Sequence, residues 1–338
     1  MKKNGNLENN VSNAMKHKYV KGFSIHVHHD GNDEVVSQGN LSGHRRFYAA
    51  SVTKLFVTAM LLMLVEEKKL SLDDKIIDYI GDIIPENFHT FKGKDYTRTI
   101  LIKHLMSNTS GLPDYFDKEV MTRLLNSEDE VWGLKPVIEY VKDKEAYFIP
   151  GHPKKAKYCD TNYQLLGAII EKITNKSFSS NVDERILKPL NMHDSYMYDG
   201  REDPILENIY YKDKEIILPN YLASIGPEGG LVSTSTDLNR FLQAFFNSKL
   251  FDSKQLEKHY TWRLLLGPGL FFYGIGISMQ PIHLFKMKQG IIGHWGHSGA
   301  FAFYHPKKNV YMTGSVNQFV GHNQAAKVML KVLKHIKV

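Results

Sequence analysis

The chain has 338 residues, of which 42% are hydrophobic and 12% aromatic, so it can bury one large core or two medium cores and is not of the disordered class. Its formal charge of +7 comes from lysines scattered along the chain and not gathered in a block, which argues against a nucleic-acid partner. The single cysteine, Cys159, excludes an intrachain disulfide and a multi-cysteine metal site.

The start of the chain carries a positive pair but no apolar run of the length that a secretory signal needs. The longest apolar run, Leu55 to Val65, is interrupted by Thr58 and is far shorter than the roughly 20 residues that span a bilayer. We therefore expect no membrane span and a cytoplasmic protein as the sequence is written. A secreted mature form is expected only if a native leader precedes Met1.

Strand patterns occur near both ends of the chain. Residues 22–39 contain the alternating stretch GFSIHVHH, the turn signal DGND and the stretch EVVSQG, which together predict a β-hairpin. Its three histidines, His26, His28 and His29, are more typical of a decorated strand than of a metal site. Near the other end, YGIGISM, AFAFYHP and NVYMTGSVNQ have strand character, and NQAAKVMLKVLKHIKV is typical of an amphipathic helix.

From Ser51 to about Leu250 the patterns are mostly helical. The clearest are TKLFVTAMLLMLVEEKK, TRTILIKHLMSN, NYQLLGAIIEKIT and TSTDLNRFLQAFFNS. Because the strands come from both ends, the economical architecture is one sheet built jointly by the two ends, covered by the terminal helices and carrying an inserted helical lobe.

The first chemical motif lies in residues 49–65, AASVTKLFVTAMLLMLV. Residues three apart on a helix share a face, so Ser51 in a first turn and Lys54 one turn later point into the same space. A desolvated lysine is one of the few bases that can activate a serine hydroxyl, and a helix N-terminus stabilises developing negative charge. Taken alone, this pair is more simply a helix cap and a solvated lysine, since so short a motif also occurs by chance.

Two further stretches decide between these interpretations. PGHPKKAKYCDTNYQLLGAIIE places Tyr158 and Asp160 just before a helix, and GHWGHSGAFAFYHP places His297 at the start of a strand. With SVTK, in this order and spacing, they resemble the serine β-lactamase and penicillin-binding-protein superfamily, in particular the class C-like branch with D-alanyl-D-alanine carboxypeptidases and carboxylesterases. LVEEKKLSLDDKI, IKHLMSNTSGLPDY and GGLVSTSTDLNRF resemble its connecting segments.

The resemblance implies a β-lactamase/transpeptidase-like, two-lobed fold of the α/β plus all-α class. An antiparallel sheet flanked by helices forms one lobe, an inserted helical domain forms the other, and the active site lies in the cleft between them. We expect a single catalytic unit over residues 1–338, with an α/β lobe of residues 1–68 and 226–338 and a mainly helical lobe of residues 69–225.

The resemblance also implies roles for individual residues. Ser51 is the expected nucleophile that becomes acylated, and Lys54 and Tyr158 are expected to share the proton transfers. A tyrosine beside an ammonium can lose its proton well below its usual pKa of about 10, so either residue can be the general base. The backbone N–H groups of Ser51 and Ala300 are the expected oxyanion hole, where losing one donor costs about 10²–10³ in rate.

Two positions depart from the pattern of the family. Asp160 stands where many members have asparagine; a carboxylate cannot donate the amide hydrogen bond and is expected to pair with Lys54. His297, Ser298 and Gly299 stand where β-lactamases usually have Lys-Thr-Gly, and a histidine with a pKa of about 6.5 is mostly neutral at pH 7. We still expect these four residues to bind substrate. The changes favour a peptidase or esterase over an efficient β-lactamase.

Three other residues carry weaker signals. Ser298, in GHSGA, resembles the nucleophile elbow of α/β-hydrolases, but no acidic residue follows it in the chain, so that interpretation is rejected. Tyr115, after SGLPD, is a candidate to line the cleft, although turn packing explains it equally well. Cys159 is best explained as a small buried side chain.

The sequence therefore predicts a cofactor-independent, metal-free serine hydrolase that works through an acyl-enzyme on small esters or D-configured peptides. The alternatives are a class C-type β-lactamase, and a non-catalytic penicillin- or peptide-binding sensor or interaction module on the same fold. The expected partner is a small-molecule or peptide substrate, with β-lactams as further candidates. We expect no nucleic acid partner, and the oligomeric state is left open.

Overall fold

This computed structural model describes residues 5–259, 261–265, 271–282 and 290–336. The α-helices are α1 (Gly5–Met15), α2 (Thr53–Glu66), α3 (Ile77–Ile80), α4 (Ile102–Met106), α5 (Lys118–Leu125), α6 (Leu134–Val141), α7 (Asp160–Thr174), α8 (Phe178–Val182), α9 (Pro219–Ser224), α10 (Gly226–Gly229), α11 (Ser235–Phe246), α12 (Lys254–Lys258) and α13 (His322–His335). Single turns of 3-10 helix span Ala50–Val52, Thr97–Thr99 and Pro306–Lys308, and a π-helical turn spans Asp183–Leu187.

The strands are, in chain order, β1 (Gly22–His29), β2 (Asn32–Gly39), β3 (Arg46–Tyr48), β4 (Thr90–Phe91), β5 (Lys94–Asp95), β6 (Tyr196–Met197), β7 (Leu206–Glu207), β8 (Ile209–Tyr211), β9 (Lys214–Ile216), β10 (Leu231–Ser233), β11 (Arg263–Leu264), β12 (Phe272–Tyr273), β13 (Ser278–Pro281), β14 (Gly290–Trp295), β15 (Ala300–His305) and β16 (Val310–Ser315).

The largest sheet has eight strands in the order β11-β12-β13-β14-β15-β16-β1-β2, and every neighbouring pair is antiparallel. The first strand of the chain pairs with its last strand, with Ser24 opposite Ser315. The prediction that the two ends of the chain build one sheet is therefore confirmed. A second, four-stranded sheet has the order β6-β10-β3-β7.

The predicted hairpin over residues 22–39 is also present, with His29 paired to Asn32. Its turn is Asp30-Gly31, and both residues have positive φ, 49° and 73°. Two left-handed residues form the type of two-residue turn whose twist matches that of the flanking strands, which explains the Asp-Gly pair. On β2, Asp33 contacts both His26 Nε2 and His28 Nδ1 of β1.

Alternation along β1 places two helical layers on opposite faces of the sheet. Phe23 and Ile25 belong to a core formed with α1 and α13. Ser24, on the other face, donates a hydrogen bond of 2.9 Å to Ser235 Oγ on α11. The terminal helices therefore cover one face of the sheet and α11 covers the other.

Helix α2 runs through the larger core. All its residues from Thr53 to Leu62 are buried, and the ring of Phe56 stacks on Phe241 of α11 at 3.7 Å. A helix that is apolar on every side belongs in the interior of a protein, so the lysine near its start is carried inside with it.

The helices predicted within residues 53–69, 162–174, 234–248 and 323–338 are present as α2, α7, α11 and α13, with the bounds given above. Residues 337 and 338 lie outside the described part of the chain. TRTILIKHLMSN is divided between a 3-10 turn and α4, because Leu101 is extended and its N–H donates to His104 Nδ1 at 3.1 Å.

The region 69–225, for which we predict mainly helix, also contains the short strands β4 to β9. The division into two lobes stays a prediction. Among the described residues, no helix combines the length and the hydrophobicity that crossing a bilayer demands.

Candidate functional site

Ser51 lies in the 3-10 turn that leads directly into α2, not in the first turn of the α-helix itself. The turn is held by Thr53, whose hydroxyl donates to the Ala50 carbonyl at 2.7 Å and accepts from the Leu231 N–H at 3.2 Å. Ala50 has a φ of +46°. A left-handed conformation is unfavourable for alanine and is maintained only by its surroundings, and such strain is concentrated at functional sites.

The Lys54 side chain is completely buried and its amine is surrounded by three oxygens. Nζ donates to Ser51 Oγ at 2.9 Å and to the Glu228 carbonyl at 2.7 Å. It also makes an ionic contact of 2.6 Å with Asp160 Oδ1, without the alignment of a good hydrogen bond. The ion pair that the sequence predicts between Lys54 and Asp160 is present.

This environment has a chemical consequence. An ammonium has three donors and no lone pair, so it cannot take the proton of Ser51 while it keeps all its own protons. The Asp160 carboxylate is within contact distance to take one of them. The geometry therefore provides an acceptor for the proton that Lys54 must lose before it can act as a base.

Tyr158 stands beside this cluster, with its ring centroid 5.3 Å from Lys54 Nζ. Its hydroxyl oxygen is buried and makes no well-formed hydrogen bond within the described part of the chain. Burial, and then the charge of Asp160, raise the pKa of Tyr158 well above its ordinary value, and the nearby Ser51 hydroxyl opposes them. Tyr158 is therefore a neutral phenol in this environment, in contrast to the expectation of an easily lost proton.

Asp160 is the first residue of α7 and is itself held by a second carboxyl group. Its backbone N–H donates to Asp114 Oδ1 at 2.9 Å. Burial and the charge of Asp160 raise the pKa of Asp114 well above its ordinary value. Asp114 therefore fixes the start of α7 and, through it, the position of the Asp160 side chain.

The turn between β14 and β15 brings the third motif to Ser51. Ser298 is buried and its hydroxyl donates to the Tyr48 carbonyl, just ahead of the nucleophile turn. Gly299 has a φ of +90°, and a Cβ there would lie 2.7 Å from the Gln318 carbonyl oxygen, so glycine is required. The Ala300 N–H makes a long hydrogen bond of 3.4 Å to Ser298 Oγ.

His297 lies at the mouth of an apolar pocket that also contains Ser51. Its ring stacks on Phe319 at 5.1 Å and lies 5.5 Å from the ring of Phe116, although the residue as a whole is exposed. Crowding by protein atoms lowers the pKa of His297 to about 4, and the charge of Asp160 opposes the shift. The imidazole is neutral at pH 7, as the sequence predicts.

Tyr115 does not line the cleft as expected. It is completely buried, its ring stacks on Trp132 at 5.1 Å, and its hydroxyl contacts the carboxyl group of Glu228. Turn packing, the alternative interpretation, explains its position. Cys159 is likewise buried, with its thiol 3.5 Å from the Pro113 carbonyl.

Behind the cluster, three rings form a hydrogen-bonded chain. His294 Nδ1 lies 2.7 Å from the Trp295 carbonyl and must donate to it, so Nε2 accepts from Tyr273, at 3.1 Å. The Tyr273 oxygen in turn accepts from Tyr163, at 2.8 Å. The Tyr163 ring centroid is 5.1 Å from Lys54 Nζ, so this chain supports the wall against which the lysine packs.

An apolar pocket opens above Ser51. Ser51, Asp160, Glu228, His297 and Ser298 line it together with a set of apolar side chains: Phe116, Met121, Leu124, Leu125, Ile209, Ile216, Leu218, Tyr221, Leu222, Ile225 and Phe319. Within the described ranges, no group of three or more histidine, cysteine or acidic side chains is arranged to hold a metal ion.

Three groups of this site are not among the predicted site residues. Asp114 lies within SGLPDY and Glu228 within IGPEGGLV, where it is the one charged residue of an apolar stretch. That isolation is a sequence signal for a buried acid. The chain of Tyr163, Tyr273 and His294 had no such signal, because its members come from distant elements.

An antiparallel sheet flanked by helices, with a serine and a buried lysine in contact beside it, defines the β-lactamase-like class of proteins. The chain belongs to the Beta-lactamase family, whose family model matches residues 7–334.

Among curated relatives, Protein flp of Staphylococcus aureus is 26% identical over 221 residues, which is 64% of this chain. The match spans 42% of the length of that relative, so this chain corresponds to less than half of it.

Two solved structures show the same fold. The D-amino acid amidase of Ochrobactrum anthropi SV3 has a TM-score of 0.80 at 21% identity, covering 98% of this chain and 100% of the amidase. EstCE1, described as a hydrolase with promiscuous acyltransferase activity, has a TM-score of 0.79 at 17% identity, covering 98% of this chain and 97% of EstCE1.

Proposed function

We propose that the protein is a serine hydrolase that works through an acyl-enzyme on small esters or D-configured peptides. The observation that carries the proposal is the position of the buried Lys54 amine, 2.9 Å from Ser51 Oγ and 2.6 Å from Asp160 Oδ1. The amidase and hydrolase activities named for the two structural neighbours support it.

In the proposed reaction, Lys54 first passes a proton to Asp160 and becomes a neutral amine. The amine takes the Ser51 proton as Oγ forms a bond to the substrate carbonyl carbon, and the N–H groups of Ser51 and Ala300 stabilise the oxyanion. Tyr158, a neutral phenol, gives its proton to the leaving group as the bond to the carbonyl carbon breaks. The phenolate then recovers a proton from Lys54, and water cleaves the acyl-enzyme by the same steps.

The charges around Ser51 favour esters over β-lactams. Penicillins and cephalosporins carry a carboxylate, and here it would meet the neutral imidazole of His297 and the negative charge of Asp160. A short uncharged ester needs only the nucleophile, the proton-transfer groups and the oxyanion donors. The proposal is therefore an esterase or peptidase and not an efficient β-lactamase.

The test is covalent labelling with a fluorophosphonate and with a fluorescent penicillin, followed by turnover assays on a short-chain aryl ester. Wild-type protein should be labelled and should hydrolyse the ester, and Ser51→Ala should abolish both while melting at the same temperature. Ser179→Ala, at an exposed serine, is the matched control and should behave as wild type.

Three results would contradict the proposal. Labelling without turnover of any ester or peptide would favour a penicillin- or peptide-binding sensor. Hydrolysis by Ser51→Ala, or loss of all labelling in Ser298→Ala, would show that Ser51 is not the nucleophile.

A further inference from the structure

The Tyr158 hydroxyl has no hydrogen bond that fixes its direction. Its oxygen is buried and, among the residues that the structure describes, has no well-formed hydrogen-bond partner. In the proposed reaction this hydroxyl gives its proton to the leaving group, and such a transfer requires the donor to be placed within hydrogen-bond reach. The direction of the phenol must therefore be set by the groups that pack against its ring.

Three groups lie against the Tyr158 ring. Tyr273 meets it edge-on, with centroids 6.1 Å apart and an interplanar angle of 80°, and His294 lies at 6.0 Å and 49°. Lys54 Nζ is 5.3 Å from the ring centroid. Edge-to-face contact is a preferred arrangement of aromatic rings. Because Lys54 changes its charge during the proposed reaction, Tyr273 and His294 are the constant part of these surroundings.

Tyr273 and His294 are themselves held by hydrogen bonds. The imidazole donates from Nδ1 to the Trp295 carbonyl at 2.7 Å and accepts at Nε2 from the Tyr273 hydroxyl at 3.1 Å. The Tyr273 oxygen accepts from Tyr163 at 2.8 Å. All three side chains of this chain are at most 4% exposed. A buried polar network whose members are satisfied is rigid, so both rings have a fixed direction.

The same chain joins the sheet to the helix that carries Asp160. Tyr273 ends β12 and His294 belongs to β14, whereas Tyr163 is on α7, three residues after Asp160. Residues three apart on a helix share a face, and the Tyr163 ring centroid lies 5.1 Å from Lys54 Nζ. The hydrogen-bonded chain therefore fixes the sheet and α7 around the groups that transfer protons.

We infer that Tyr273 and His294 are positioning residues for Tyr158, and that their hydrogen-bonded chain holds the phenol in the direction from which it protonates the leaving group. Both belong to the described part of the chain and neither lines the pocket at Ser51, so they act through Tyr158 and not on the substrate. This inference rests on the proposed hydrolase function and assigns two further residues to the same reaction.

The experiment compares two esters of butanoic acid that differ only in the leaving group. Methoxide must be protonated in order to leave, whereas 4-nitrophenolate leaves as the anion. Tyr273→Phe keeps the ring but removes both hydrogen bonds of its hydroxyl. It should lower kcat/KM for methyl butanoate about tenfold more than for 4-nitrophenyl butanoate, a part of the roughly 10²–10⁴ that general acid–base catalysis contributes. The loss for the methyl ester should appear in kcat and not in KM.

The ratio of the two kcat/KM values separates positioning from stability, because unfolded protein lowers both values equally. His294→Leu should change the ratio as Tyr273→Phe does, and His294→Gln, whose side-chain oxygen can accept from Tyr273, should restore most of it. Tyr163→Phe removes only one hydrogen bond of Tyr273 and should change the ratio less. Tyr304→Phe, at a half-buried tyrosine of β15, is the matched control and should keep the wild-type ratio.

A variant pair tests whether the effect passes through Tyr158. Tyr158→Phe should change the ratio most, and adding Tyr273→Phe to it should change the ratio no further. A further change in the double variant would show that Tyr273 acts on catalysis by another route and would overturn the inference. Equal losses for the two esters in Tyr273→Phe and His294→Leu would also overturn it, while turnover by the wild-type protein left the hydrolase function standing.

A second comparison uses labelling and needs no turnover. Opening of a penicillin ring requires a proton on its nitrogen, whereas a fluorophosphonate loses fluoride, which leaves as the anion. In Tyr273→Phe the rate of labelling by penicillin should fall about tenfold more than the rate of labelling by the fluorophosphonate. Equal falls would overturn the inference even if neither ester were hydrolysed. Absence of both turnover and labelling in the wild-type protein would instead overturn the hydrolase function, and this inference with it.

Discussion

The Lys54 amine lies 2.6 Å from the Asp160 carboxylate, closer than the 2.9 Å that separates it from the Ser51 hydroxyl. The lysine that is expected to activate the nucleophile is thus paired with an acid on the first residue of another helix. Any account of the chemistry of Ser51 has to include Asp160.

Asp160→Asn should lower kcat for an uncharged ester by about a hundredfold, because an amide cannot accept the proton that Lys54 must lose. The variant also removes a negative charge and supplies an amide donor, so the ratio of penicillin acylation to ester hydrolysis should rise. Steady-state kinetics with the ester and stopped-flow acylation with a fluorescent penicillin measure both quantities.

Asp114→Asn is the matched control, since an asparagine oxygen can still accept from the Asp160 N–H. It should lower ester kcat by less than tenfold. An Asp160→Asn enzyme with wild-type kcat would show that the carboxylate takes no part in proton transfer.

Lys54→Ala and Tyr158→Phe should each reduce the acylation rate by about 10²–10⁴, the range of general acid–base catalysis. The double variant should be little worse than Lys54→Ala, because the two groups serve one proton-transfer sequence. A double-mutant cycle on the acylation rate constant measures the coupling. Strictly additive losses would indicate two independent, structural roles.

At pH 7 we expect kcat/KM for a short-chain aryl ester to exceed that for penicillins and cephalosporins by at least about tenfold, or ~1.4 kcal/mol of transition-state binding. Because the pKa of His297 is lowered to about 4, its charge is absent from pH 8 down to pH 6 and appears only below about pH 5. Penicillin acylation should therefore gain nothing from His297 protonation between pH 8 and pH 6.

His297→Lys should raise the acylation rate with penicillin at pH 7, since it supplies a fixed positive charge at the pocket mouth. The difference in kcat/KM between the ester and penicillin should therefore become smaller. His193→Lys adds the same charge at an exposed position outside the pocket lining and should leave this difference unchanged. Cephalosporin hydrolysis by the unmodified protein that equals ester hydrolysis at pH 7 would favour the β-lactamase alternative.

The stability of the fold should fall as the pH drops below about 6.5, in part because of His294. Burial lowers the pKa of His294 to about 3. Between that value and the ordinary pKa of about 6.5 the unfolded chain binds a proton that the folded chain does not, so stability is full above pH 6.5 and is lost as the pH falls. One such group contributes about 2 kcal/mol between pH 6.5 and pH 5.

Urea unfolding of wild type and His294→Gln at pH 7 and pH 5 measures this contribution. The variant should be less stable at pH 7 but should lose less stability on acidification. His193→Gln, at an exposed histidine, should match the pH dependence of wild type. Equal pH dependence in all three proteins would mean that the pKa of His294 is the same in the folded and the unfolded chain.

Local patterns predicted the elements that carry the site. Alternation and the Asp-Gly turn located the β1–β2 hairpin, and the apolar run after Ser51 located α2. The three motifs predicted that Ser51, Lys54 and Tyr158 lie in one site, because the order and spacing of the motifs resemble those of a known family. The hairpin β8–β9 was within reach of the same reasoning, since the β-prone run IYY is followed by the polar turn Lys212-Asp213.

The environment of each group was not readable from the sequence. The pKa of Tyr158 depends on how deeply its hydroxyl is buried and on the distance to Asp160, and both are set by packing between elements far apart in the chain. Tyr115 was misassigned for the same reason, because only the tertiary structure turns its hydroxyl toward Glu228. The spacing of residues along a chain does not give the distances between side chains that come from distant elements of the fold.

The pairing of β1 with β16 has a consequence for how the molecule is made. During synthesis the β1–β2 hairpin emerges early, yet the strand that completes its ladder is translated almost a full chain length later. Until then one edge of the hairpin is open, and Ala300, on the strand beside β16, has not yet joined the nucleophile turn. Contacts between residues so distant in sequence form slowly. The newly made polypeptide therefore passes through a period in which Ser51 already exists but its oxyanion donor does not, and in which an unpaired strand edge is exposed to other chains.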